Sequence, residues 1–153
     1  MSDLSQKFER DGFVENVFND QEIEEMKGAI VEILDDMHLA EYPKMCFQRT
    51  MRKSSYKIRF FIEEGAVDKN GDLTVPKDKA LNKIGLCLHF LDSTFKKMTF
   101  NTKIQKIFKE IGYQEPEVVQ SMYIFKKPKI GGAVTGHADS TFLRVDPIDH
   151  LTG

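Results

Sequence analysis

The sequence predicts an α+β chain. Three observations carry this: apolar residues recur at helical spacing in several stretches, an aromatic run at 56–62 precedes an Asn-Gly turn, and a β-branched run fills 118–125. At 153 residues the length suits one ordinary domain, able to bury roughly two-thirds of its unfolded surface.

Taken in order, Gly12-Phe13-Val14-Glu15-Asn16-Val17-Phe18 reads as a short strand. From Asp20 to about Asp36, Ile23, Met26, Ile30, Ile33 and Leu34 mark an amphipathic helix. Asn19 with Glu22 three residues on gives it a capping-box entry. Tyr56–Ile62 (YKIRFFI) is β-rich, and Asn70-Gly71 within Asp68–Asp72 predicts a hairpin-like excursion reaching Leu73-Thr74-Val75. Leu81, Ile84, Leu88 and Leu91 predict a second helix, and Ile104, Ile107, Phe108 and Ile111 a third that Gly112 ends as its C′ residue. From Pro116 the character changes, and Val118–Phe125 predicts a strand buried on both faces. A glycine-punctuated loop, Gly131-Gly132 to Gly136, leads into His137–Leu143, where an extended pattern resumes.

Composition excludes more than it assigns. With 22 Lys+Arg against 24 Asp+Glu there is no basic excess for nucleic acid, and the Arg49, Arg52 and Lys53 cluster lacks interleaved aromatics. No stretch of about 18 apolar residues suggests a membrane span. Cys46 and Cys87 stand alone, which argues against a disulfide framework or zinc site and for a reducing compartment. His38 and His89 read as surface or partner-satisfied histidines.

One pair carries chemistry. On an extended segment, residues two apart point to the same side, so His137 and Asp139 can aim an imidazole nitrogen and a carboxylate oxygen at one point. That is two-thirds of a two-His-one-carboxylate triad, which binds Fe(II) through one face and leaves other positions open. Alone, an H-x-D spacing is weak, because loop histidines near acids are common.

Its context is specific. Val119-Gln120-Ser121-Met122-Tyr123-Ile124-Phe125-Lys126-Lys127-Pro128, then Gly131-Gly132 and His137-x-Asp139-x-x-Phe142, resembles the core of the phytanoyl-CoA dioxygenase family, in particular its domain-containing-protein branch. Upstream, Phe8-x-x-Asp11-Gly12-Phe13, Lys57-Ile58-Arg59-Phe60-Phe61, Asp68-Lys69-Asn70-Gly71 and Asn82-Lys83-Ile84-Gly85 with Leu88-His89 resemble that branch in the same order. The resemblance spans nearly the whole chain. It implies an Fe(II)- and 2-oxoglutarate-dependent dioxygenase (hydroxylase) with ascorbate as reductant, acting on an acyl-CoA or related small molecule. It implies iron on His137 and Asp139, 2-oxoglutarate contacted by Lys83, Met122, His137 and Asp139, and no catalytic residue beyond the metal ligands. Spacing alone favours instead a solvated helix lysine at Lys83 and an ordinary core methionine at Met122.

The family's fold is a double-stranded β-helix, a jelly-roll or cupin-like barrel of about eight strands. The expectation here is a helical and strand scaffold over about 1–115 and the first barrel strands over about 116–153. Family members add a second histidine ligand and a 2-oxoglutarate-binding arginine well downstream of the H-x-D. The histidine and arginine that follow Asp139, His150 and Arg144, stand in no matching motif. The chain is therefore expected to be a truncated form, with a catalytically inactive binding or regulatory isoform, or an unproductive fragment, as the alternative. No nucleic-acid or membrane partner is expected. The C-terminal Asp149–Gly153 is no peroxisomal Ser-Lys-Leu address, so the cytoplasm is the expected location and the peroxisome the family's alternative.

Overall fold

A computed structural model describes residues 2–36, 45–46, 58–63, 65–70, 72–128 and 133–139. It contains helices α1 (Asp3–Asp11), α2 (Asp20–Asp35), α3 (Lys77–Ala80), α4 (Leu88–Leu91), α5 (Ser93–Thr99) and α6 (Thr102–Glu110). Strands are β1 (Met45–Cys46), β2 (Arg59–Ile62), β3 (Leu81–Leu86) and β4 (Ser121–Ile124), ordered β1-β2-β3-β4 in one sheet. β1 runs parallel to β2, while β2–β3 and β3–β4 are antiparallel. The α+β expectation holds. His38, Arg49, Arg52, Lys53, Tyr56, Lys57, Gly71, Gly131, Gly132, Ser140–Leu143, Arg144 and His150 lie outside the described residues.

The helix ends are set by local chemistry. In α2 the Asn19 side chain accepts the Glu22 N–H at 2.9 Å and the Glu22 carboxylate accepts the Asn19 N–H at 2.8 Å, satisfying two orphan donors reciprocally. Glu22 also accepts from Lys103 of α6 at 2.7 Å, and Glu25 from Lys97 of α5 at 2.6 Å, so the face of α2 near its start is tied to both later helices. The Lys103 hydrogen bond, then the Asn19 N–H, holds the Glu22 carboxyl below its ordinary range. α6 begins on Asn101, whose side chain accepts the Ile104 N–H, and is followed at Ile111 by Gly112 with φ +107°, as the sequence predicts.

The core lies between one face of the sheet and α2. Leu81, Ile84 and Leu88 are fully buried, and Ile30, Phe60, Ile62, Ala66 and Ala80 complete the cluster. Burying three such side chains contributes on the order of 5–9 kcal/mol before entropy. The ion pairs between helices, Lys97–Glu25 exposed and Lys103–Glu22 half-buried, are reached by water and add little beside this. The excursion between β2 and α3 closes as expected, with Val67 bridging Leu73 and the Asp68 carboxylate accepting the N–H groups of Asn70 and Asp72.

Four expectations are corrected. Leu81 to Leu91 is not one helix: β3 occupies 81–86 and a single helical turn follows. A register shift between Phe61 and Ile62 lets Leu81 and Ile84, three apart, both reach the core, so a bulged strand mimics helical spacing. The stretch 12–18 forms no strand; Gly12 at φ +79° ends α1, Asn16 takes φ +56°, and Phe13 is exposed. β4 is shorter than 118–125 and not buried on both faces, since Val119 and Ile124 are exposed. The backbone over 137–138 is irregular and Asp139 takes helical backbone, so no strand begins at His137.

Gly85 sits where β3 and β4 come closest. A Cβ there would lie 2.7 Å from Met122 Cβ and 2.9 Å from the Ser121 carbonyl oxygen. Gly85→Ala should therefore push the strands apart and destabilise by about 1–3 kcal/mol, lowering the melting temperature by several degrees. Thermal unfolding followed by circular dichroism checks this, and an unchanged midpoint would mean the strands have room to spare.

Candidate metal and cosubstrate site

The strand pairing that builds the core also sorts the sequence-predicted site residues. Lys83 pairs with Ile124 and Gly85 with Met122, while Phe61 of β2 pairs with Lys83. Paired residues share a face, and so do residues two apart on one strand. Phe61, Lys83, Gly85, Met122 and Ile124 thus form one face, opposite the one on which Phe60, Ile84 and Tyr123 meet the core. The structure brings Lys83 and Met122 onto one sheet surface, and it does so through a strand where spacing suggested a helix.

On that face the Lys83 ammonium lies over the Phe61 ring, 5.0 Å from its centroid. Burial pushes its pKa below the ordinary lysine value, because desolvation penalises the charged form. Phe61 was not singled out from sequence as a site residue; its place in the 56–62 aromatic run is the signal that could have marked it. Gly85 had a signal too, since an isolated glycine in a strand marks a close backbone approach.

His137 and Asp139 meet by a different route. The His137 Nδ1 is 2.8 Å from the Thr135 carbonyl oxygen, and its Nε2 is 3.3 Å from Asp139 Oδ1. A carbonyl can only accept, so Nδ1 carries the proton. Nε2 and Oδ1 then face each other with a lone pair each, unless a second proton or a cation lies between them. The donor set fits a cation: ligands at right angles with bonds of about 2.1 Å lie about 3 Å apart. A histidine held by a backbone carbonyl through its remote N–H is also the usual arrangement behind a metal-binding imidazole. Both side chains are exposed enough to be reached, and among the described residues no group of three potential ligands forms.

Of the histidines set aside from sequence, His89 is partner-satisfied: its ring Nδ1 lies 2.6 Å from the Ser121 hydroxyl oxygen. No described helix is long and apolar enough to cross a membrane.

Comparison with known proteins gives this geometry its context. The family model for phytanoyl-CoA dioxygenase matches residues 8–153. The chain is 73% identical, over its full length and 57% of the relative's, to a phytanoyl-CoA dioxygenase domain-containing protein 1 homolog of Caenorhabditis briggsae. It is 39% identical to the mouse phytanoyl-CoA dioxygenase domain-containing protein 1, with 96% of this chain and 56% of the relative covered. It is 38% identical to a rice phytanoyl-CoA dioxygenase 1, with 83% and 47% covered. The chain thus spans about half the length of the curated relatives it matches. A match across nearly all of its residues, with sequence identity well above a third, makes this chain a member of the phytanoyl-CoA dioxygenase family.

Proposed function

We propose that the chain carries the first two iron ligands and part of the cosubstrate surface of an Fe(II)- and 2-oxoglutarate-dependent hydroxylase. The observation that carries the reading is the His137–Asp139 pair, two donor atoms 3.3 Å apart with the imidazole oriented from behind by the Thr135 carbonyl. Family membership supports the reaction class. When bound, iron and 2-oxoglutarate supply the oxidation of a substrate C–H bond, with the cosubstrate decarboxylated to succinate.

The chain's own residues have simpler tasks. His137 and Asp139 would hold the metal. The Lys83 ammonium, already partly desolvated over Phe61, would bind a carboxylate of the cosubstrate, and Met122 on the same face would pack against its carbon chain. The four-stranded sheet is read as the opening part of a jelly-roll barrel, its Lys83 face turned to the interior and its Ile84 face to the helices. The substrate is a small molecule, with an acyl-CoA the first class to try.

Two donors bind a ferrous ion weakly, and a third is absent among the described residues. The 153-residue polypeptide alone is accordingly expected to make no succinate from 2-oxoglutarate in the presence of Fe(II) and ascorbate. Joining it to the remainder of the Caenorhabditis briggsae relative should restore turnover, and His137→Ala or Asp139→Ala in the chimera should abolish it. A folded chimera whose turnover survives both substitutions would contradict the ligand roles.

Lys83→Met in the same chimera should raise the KM for 2-oxoglutarate by roughly tenfold to a hundredfold, the worth of one charge-assisted hydrogen bond. Steady-state kinetics at varied cosubstrate checks this. An unchanged KM would return Lys83 to a structural role.

A further inference from the structure

The side of β4 away from the proposed site holds a contact that the hydroxylase reading does not use. Ser121, the first residue of β4, pairs with Leu86 at the end of β3, and its hydroxyl oxygen accepts the backbone N–H of His89 at 2.8 Å. The same oxygen lies 2.6 Å from His89 Nδ1. α4 is a single turn whose N-cap residue, Cys87, gives no side-chain cap, so Ser121 satisfies one of its orphan N–H groups from across the sheet.

The donor and acceptor balance allows two arrangements. A hydroxyl has one proton and two lone pairs. With one lone pair taken by the His89 N–H, Ser121 either donates its proton to Nδ1 of a neutral ring protonated on Nε2, or accepts from Nδ1–H with its second lone pair and sends its own proton elsewhere. Protonating the ring places a second donor on the same oxygen and forces the hydroxyl proton to another acceptor. Of the two, the first uses both of the hydroxyl's roles on His89 and exists only with neutral imidazole.

Its position gives it reach. Met122 follows Ser121 directly and stands opposite Gly85, where the backbones are closest, on the face that carries Lys83. The contact closes the corner at which β3, α4 and β4 meet, and Cys87 bridges Ser121 there in addition. Any slack at Ser121 would be passed to Met122 through one peptide unit.

We propose that His89 is a positioning residue: with Ser121 it locks the start of β4 and so holds Met122 in place on the proposed cosubstrate face. The cosubstrate role of that face rests on the hydroxylase reading, whereas the lock is a property of the folded chain.

The surroundings of the imidazole make the lock testable by pH. Ser121 faces it from β4 and the Phe100 ring, beyond the end of α5, meets its edge at 6.2 Å. Cys87 precedes it, and Asp92 at the end of α4 is engaged by the N–H groups of Thr94 and Phe95. Burial alone pushes the His89 pKa below 6.5. With the folded value depressed, the unfolded chain takes up its proton first as pH falls. Stabilisation from neutral His89 is then full above about 6.5 and is lost as pH drops through the folded value.

The experiment uses the 153-residue chain without iron or 2-oxoglutarate, with its methionine methyls and histidine rings isotopically labelled for NMR. At neutral pH the His89 ring should show the Nε2–H tautomer. The Met122 methyl resonance should move as pH falls, with the His89 midpoint, below 6.5. In His89→Asn, whose side-chain oxygen can accept the Ser121 proton, Met122 should keep its neutral-pH position and lose the titration. In His89→Phe and Ser121→Ala it should sit at the displaced position at every pH. A Met122 resonance that ignores the His89 titration in the wild-type chain overturns the proposal, as does identical behaviour of the Asn and Phe variants. Neither result touches the hydroxylase reading, which stands or falls on the succinate assay.

Discussion

The double pairing of β3 is the constraint on which the remaining structure depends. β3 is hydrogen-bonded to β2 on one side and to β4 on the other, so its two faces are committed to different work. Ile84 and, through the register shift, Leu81 point into the core with Ile30 and Phe60. Lys83 and Gly85 point the other way, toward Phe61 and Met122. Because register in a sheet sets the facing of every side chain, a slip of one residue would bury Lys83 and expose Ile84. The energy that fixes the register is apolar burial on the core face, while its consequence is the arrangement of polar and sulfur-bearing groups on the other.

The two halves of the candidate site are held by different means. Lys83 and Met122 are placed by strand register, a long-range property backed by the core. His137 and Asp139 are placed locally, by a carbonyl two residues before the histidine that fixes which ring nitrogen carries the proton. The first half is expensive to disturb. The second is a short-range arrangement, with Nε2 of His137 3.3 Å from Oδ1 of Asp139.

What could be read from the sequence follows the range of the forces involved. α2 and α6 are legible because Asn19, Glu22 and Gly112 act within four residues of the helix ends they fix. α1 carries similar signals in Ser2 and Gly12 but few apolar residues, so no helical stripe marks it in the sequence. β3 was misread because Leu81, Ile84, Leu88 and Leu91 have the spacing of a helix stripe, and only pairing with distant strands decides otherwise. The exposure of Val119 and Ile124 was hidden for the same reason. The residues of the candidate site were legible as a motif in order along the chain. The means that position them, Phe61 beneath Lys83 and the Thr135 carbonyl behind His137, became visible only in three dimensions.

The central claim, that His137 and Asp139 form a two-donor cation site, is tested most directly by adding substoichiometric Mn(II) to the isotopically labelled chain and following paramagnetic line broadening. The account requires the His137 ring and Asp139 amide signals to broaden first, and Asp139→Ala to remove that selectivity. Broadening spread over the acidic residues of α2 and left unchanged by Asp139→Ala would contradict it.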